Sequence, residues 1–257
     1  MGALTVGKAL RVVLVYELTR TVRNPVWVLF GLLSPMLSLV LFAPLLAGLA
    51  QKAGMADGES LRSYTPGVLF TLALLGSMYV GFSLVADLKS GLLERISTAP
   101  VSPVALIGGR IGRDAFALMT QAAALLATAA LEGLRANPLG VALGVLLMML
   151  LSCSATAGSY CLALLLRSEN ALAAVLNIVV LPLQLLGGTI LPLDFGPDWL
   201  QRLGALLPSY WAIEGARRLF EGRFGSVEIP IAVAVLTVLT GLLTYALSRL
   251  WRNRTCS

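Results

Sequence analysis

Long apolar runs divided by short polar breaks set the architecture of this chain. A helix needs about 20 residues to cross the hydrocarbon core of a bilayer. Six runs reach that length: residues 25–50, 64–86, 104–131, 138–166, 171–190 and 229–250. The expected fold is an all-α polytopic membrane protein with six transmembrane helices. The third run opens with Arg110, Arg113 and Asp114, which puts its first turns at the interface or inside protein. Arg110 and Asp114 are spaced to pair on one helix face. Pro35 and Pro182 are expected to kink the first and fifth runs.

Three polar or mixed segments carry further pattern. In residues 5–23, Val6, Leu10, Leu14 and Leu18 form an apolar stripe opposite Lys8, Arg11, Thr19 and Arg23. This is the pattern of a helix lying in the membrane interface, and Asn24-Pro25 separates it from the first span. Residues 87–103 form a second amphipathic stretch. At about 100° per residue, Leu88, Leu92, Leu93 and Ile96 share one face, and Ser90, Glu94, Ser97 and Thr98 lie opposite. Lys89 and Arg95 border the two faces, Asp87 is placed to cap the first turn, and Pro100 and Pro103 end the helix. The third segment, residues 191–222, divides at Pro208 into two short helical pieces. Neither piece can span alone, so they fit a re-entrant hairpin or an interfacial pair. Trp199, Tyr210 and Trp211 suit the headgroup level. By helical spacing Glu214 can pair with Arg217 or Arg218, and Arg217 with Glu221.

Composition supports the bilayer as solvent. Of 257 residues, 58% are hydrophobic and 12% are charged. That charge content is about half the roughly 25% usual in globular proteins. The net charge of +6 does not point to nucleic acid, because the basic residues sit mainly between apolar runs, where they direct topology. Twelve lie on one set of flanks: Lys8, Arg11, Arg20, Arg23, Lys89, Arg95, Arg110, Arg113, Arg167, Arg249, Arg252 and Arg254. Seven lie on the other: Lys52, Arg62, Arg135, Arg202, Arg217, Arg218 and Arg223. Both termini and residues 87–103 are therefore expected in the cytoplasm, and residues 191–222 outside, for a multi-pass protein of the cell membrane. The N-terminal region, with its interspersed charges and long following run, does not read as a cleavable signal.

The chemistry is sparse. With no histidine, the commonest general base and metal ligand is missing. Cys153 and Cys161 would stand about 12 Å apart on one helix, too far for a disulfide. Cys256 reads as an incidental thiol, with palmitoylation as the lesser alternative. No G-x-x-x-x-G-K-[ST] sequence occurs, so this chain is not expected to be an enzyme. The spans carry almost no ionisable group at depth, which argues against an ion-coupled carrier and for an energy source in another subunit. Thr120, Gln121, Ser152, Ser154, Thr156, Ser159, Asn177 and Gln184 are polar positions within spans. Hydrogen bonds between helices are the commoner role for such residues; for Thr120, Gln121, Asn177 and Gln184 lining of a substrate path stays open. Gly140 and Gly144 form a small-xxx-small pair suited to close helix packing.

These features resemble the type-2 ABC transporter permeases, the family that includes the daunorubicin-resistance permeases. Asp87, Gly91-Leu-Leu-Glu-Arg95 and Ala99-Pro-Val-Ser102, followed by Gly109-Arg110, are similar to the family's loop motif. Leu191-Pro192, Trp199-Leu200, Pro208 and Glu214-Gly-Ala-Arg217 are similar to its C-terminal motif. Ser102-Pro103 departs from it, since relatives often have a basic residue after the serine. The resemblance implies a type-2 ABC exporter fold for a permease that moves a hydrophobic or amphipathic substrate. A separate cytoplasmic ATPase, present in two copies, would carry the ATP and Mg, and this chain would bind no cofactor itself. Its other partners would be membrane lipid and a second permease, in a homodimer or heterodimer. It implies that Glu94 and Arg95 couple to the ATPase while Leu88, Leu92 and Ile96 anchor their helix. It also implies an extracellular gate containing Trp199, Pro208, Tyr210, Trp211, Glu214 and Arg217. A drug, a lipid or a lipid-linked glycan fits the apolar walls equally; an ion-coupled carrier and a membrane scaffold are the alternatives from other classes.

Overall fold

The computed structural model describes residues 36–45, 59–90, 103–189 and 196–255, together with 15, 19, 33, 48 and 193. In chain order its helices are α1 (Met36–Leu45), α2 (Glu59–Met78), α3 (Val80–Lys89), α4 (Pro103–Leu131), α5 (Pro138–Leu166), α6 (Glu169–Leu186), α7 (Asp198–Ala205), α8 (Pro208–Phe220) and α9 (Glu228–Thr255). No strand occurs among the described residues. Five helical stretches there are long and apolar enough to cross a membrane: Leu61–Lys89, Gly108–Leu131, Pro138–Leu166, Glu169–Leu186 and Glu228–Trp251. Of the first expected span only Met36–Leu45 is described as a continuous helix, and most of the expected interfacial helix lies outside the described residues.

The centre of the bundle is α5, which packs against α2, α3, α4, α6, α8 and α9. Its sequence explains its sharp ends. Asn137 caps the first turn by accepting the Leu139 N–H at 3.0 Å, and Pro138 occupies the first turn, where a missing N–H costs nothing. At the other end Arg167 takes a left-handed conformation, φ 52°, and its N–H closes on Ala163 O at 3.0 Å. Gly140 and Gly144 let α8 approach closely. A Cβ at Gly140 would fall onto the Leu219 carbonyl, and one at Gly144 would stand 2.7 Å from the Phe220 ring. The expected use of this pair for close packing is what the structure shows, with α8 as the partner.

Two apolar clusters form the interior. One collects Phe70, Leu74, Leu125, Met148, Ile213 and Phe220; the other collects Leu84, Val85, Tyr160, Leu172, Leu176 and Leu247. The outside is also apolar: Leu41, Ile178, Leu181, Val238 and Leu242 are exposed along the helices. Continuous apolar surface of this kind suits lipid as solvent, not water. Both cysteines of α5 are free, and Cys161 donates from Sγ to Leu243 O at 3.6 Å.

Candidate functional sites at the two ends of the bundle

The second span overruns its expected end at Ala86 and continues through Lys89. Asp87 is therefore not the first-turn cap of a following helix but part of the last turn of α3, buried at 4% exposure. The side chain that makes this burial tolerable is Arg110 of α4, whose Nη2 donates to Asp87 Oδ2. Arg110 itself is 4% exposed. Arg110 and Asp114, expected to pair on one helix face, each take part in another ion pair. Arg110 reaches across to α3, and Asp114 receives Arg113 through Nε at 2.8 Å and Nη2 at 2.7 Å. Lys89 adds a solvent-facing tie from α3 to Glu169 at the start of α6, at 2.9 Å.

The Asp87–Arg110 pair joins the roots of the intervening polar segment. Leu88, half-buried, packs against the second apolar cluster beside α3. Leu92, Glu94, Arg95 and Ile96 lie outside the described residues.

The other end is built around α8. Pro208 starts this helix, and Trp211 Nε1 donates to Ala205 O at 2.8 Å, capping the end of α7. Tyr210 and Trp211 meet edge to face with centroids 5.3 Å apart. Trp199 on α7 is exposed. Glu214 and Arg217 are buried together, with Arg217 Nη1 3.5 Å from Glu214 Oε2. Arg218 Nη2 also reaches Glu214, at 2.9 Å. Arg217 extends from this pair to main-chain groups of two other helical regions. Its Nε donates to Ser63 O at 3.2 Å, and its Nη2 donates to Gly188 O just past α6. One guanidinium thus pins α8 to the start of α2 and to the end of α6. Glu221 stands near Arg218, at 3.8 Å, and Arg223, at 3.4 Å.

The expected path residues fall on two helices, each packed on α5. Thr120 is exposed on α4 and donates to Phe116 O of its own helix at 3.0 Å, while Gln121 beside it is half-buried. Asn177 is exposed on α6 and Gln184 is half-buried. The polar row on α5 faces inward instead. Ser152 and Ser77 share a hydrogen bond at 2.6 Å, and Ser159 bonds to the backbone between α2 and α3. Sequence reading missed Ser77 as the partner of α5 and Asp87 as the partner of Arg110. The latter had a signal: opposite charges placed at facing ends of consecutive apolar runs.

The family model described as ABC-2 type transporter matches residues 8–220. A putative transport permease, ycf38, of Cyanophora paradoxa is 28% identical over 239 residues, covering 87% of this chain and 82% of that protein. The daunorubicin resistance ABC transporter permease protein DrrB1 of Streptomyces coeruleorubidus is 25% identical over 234 residues, covering 90% and 81%. The putative transport permease ycf38 of Porphyra purpurea is 23% identical over 246 residues, covering 90% and 84%.

Proposed function

Since the chain belongs to the ABC-2 type transporter family and is a membrane permease that works with an ABC ATPase, we propose that it exports a hydrophobic or amphipathic substrate from the cytoplasm or inner leaflet. The observation that carries this reading is the placement of charge. In the described spans α5 has no charged residue, α6 has only Glu169 in its first turn, and α9 has none between Glu228 and Arg249. In α4 the deepest is Asp114, held by Arg113. In the second span the buried carboxylate, Asp87, lies in the last turn of α3 against Arg110, and this confinement of charge to helix ends among the described residues supports the ATPase, not an ion gradient, as the source of work. Similarity to a daunorubicin resistance permease supports a drug-like amphipath as substrate.

In this reading two permease chains, identical or paired with a paralogue, form the path in the cell membrane, with both termini cytoplasmic. Two ATPase copies bind ATP and Mg below them. Residues 87–103 sit against the ATPase. Glu94 and Arg95 make the contact, and Leu88, Leu92 and Ile96 hold the helix to the membrane domain. Thr120, Gln121, Asn177 and Gln184 line the substrate path. The α7–α8 pair, with Trp199, Pro208, Tyr210, Trp211, Glu214 and Arg217, closes the extracellular side as a re-entrant gate.

The test is ATP-driven accumulation of daunorubicin in inside-out proteoliposomes holding the chain and its ATPase. Uptake should require ATP, survive a protonophore and fall at least tenfold with Glu94→Ala plus Arg95→Ala. Uptake that persists without ATP and collapses with the proton gradient identifies an ion-coupled carrier instead. ATP turnover and uptake unchanged in the double variant would remove the coupling assignment.

A further inference from the structure

Within the second span the regular α-helical ladder is interrupted at Tyr79, between the end of α2 at Met78 and the start of α3 at Val80, although Tyr79 keeps helical dihedrals, φ −79° and ψ −8°, and its N–H still donates to Leu75 O at 3.2 Å. There the Phe82 N–H donates to Tyr79 O, only three residues back, at 3.2 Å. One hydroxyl serves the two main-chain groups flanking the break. Ser159 Oγ on α5 accepts the Gly81 N–H at 3.0 Å and donates to Met78 O. A side chain inserted into the helical ladder is an established cause of a kink. Inside a bilayer, groups left without such a partner are strongly unfavourable. Gly81 is what allows the insertion, since a Cβ there would stand 2.5 Å from Ser159 Oγ and 2.9 Å from Ser159 O.

The break falls on the boundary between the two apolar clusters. α2 belongs to one through Phe70 and Leu74, and α3 to the other through Leu84 and Val85. Met78, unbranched and adaptable, packs against both. Beside the boundary, α5 presents hydroxyls on successive turns. Ser152 is bonded to Ser77, and Ser159 holds the break. Thr156 between them is fully buried, and its hydroxyl has no partner among the described residues.

We infer that Tyr79–Gly81 is a hinge in the second span with Ser159 as its pivot. α3 swings, while α2 stays fixed in its own core. Thr156 supplies the alternate hydroxyl for backbone groups released as α3 shifts. The use of this swing in transport rests on the proposed role of residues 87–103 as the contact for the ATPase.

The experiment uses the full chain, with its native cysteines replaced, in lipid nanodiscs. Spin labels at exposed positions Ala86 and Tyr245 follow α3, and labels at Gly76 and Val233 follow α2. Ser159→Ala should at least double the width of the 86–245 distance distribution and leave the 76–233 distribution unchanged. Ser159→Gly, which removes the hydroxyl and adds no bulk, should show the same asymmetry and serves if the alanine variant does not fold. Two unchanged distributions, or two that broaden together, overturn the hinge. With the ATPase bound and trapped by ATP and vanadate, the 86–245 distance should shift alone in the native chain, and Thr156→Val should suppress that shift. If the ATPase does not engage the chain, the coupling reading falls, while the comparison without ATPase still decides the hinge.

Discussion

At one end of the second span Asp87 and Arg110 face each other as a buried pair, with Lys89–Glu169 beside them as a solvent-exposed tie. At the other end Glu214 is shared by Arg217 and Arg218, and Arg217 also grips the carbonyls of Ser63 and Gly188. Both ends bury charge, and burial of charge is tolerated only with partners. They differ in what they tie together. The Glu214 end spreads its charges over side chains and main chain, which fixes α8 as a plug among α2, α5 and α9. The Asp87 end concentrates its burial on a cross-helix pair at the root of a polar segment, where α3 and α4 come together. The first tie joins α3 to α4, whereas the second fixes α8 to the start of α2 and the end of α6.

The largest effect separating the ends is expected from Asp87→Ala, which takes from the buried Arg110 guanidinium the carboxylate it donates to. The loss should be about 3–5 kcal/mol, and replacing both residues by Leu and Met should recover most of it. Thermal unfolding in detergent, followed by size-exclusion fluorescence, reads both variants; a double variant no better than the single would mean that the pair is not the essential contact. At the α8 end Arg217→Ala should cost less, about 1–3 kcal/mol, because Glu214 keeps Arg218 and the loss is chiefly of two carbonyl partners. The same assay ranks it against Asp87→Ala, and the reverse order breaks the contrast between the two ends.

Gly140→Ala probes how firmly α8 is seated. Its Cβ meets the Leu219 carbonyl, a main-chain group, so about 1–3 kcal/mol of overpacking is expected, with a matching fall in unfolding temperature. The smallest effect is expected from Lys89→Ala. Its partner Glu169 and its own side chain are about half exposed, at 48% and 56%, so the change should stay under about 1 kcal/mol and shrink further at high salt. A larger effect would show that the outer tie, not the buried pair, holds the root of the segment.

The limits of α5 were readable because local chemistry marks them: Asn137-Pro138 opens the helix, and an uncharged run fills it up to Arg167. The small-residue pair Gly140 and Gly144 was readable as a packing surface for the same reason, although its partner was not. The end of the second span was misjudged because a charge after an apolar run reads as an exit from the membrane. Asp87 is buried where Arg110 comes to it from another helix. Arg217 was readable as a pairing residue of α8, since Glu214 lies one turn away. Its bonds to Ser63 and Gly188 were not, because main-chain acceptors leave no mark in a sequence.

The sequence by itself determined the all-helical membrane architecture, the positions of most helices and the polar joints between them, since these depend on run length, hydrophobicity and local capping. Tertiary structure decided which charges meet, which glycine receives which neighbour, and that the helical ladder of the second span is interrupted at Tyr79. Those outcomes depend on side chains brought together from distant positions, where the need to satisfy every buried polar group selects the partner.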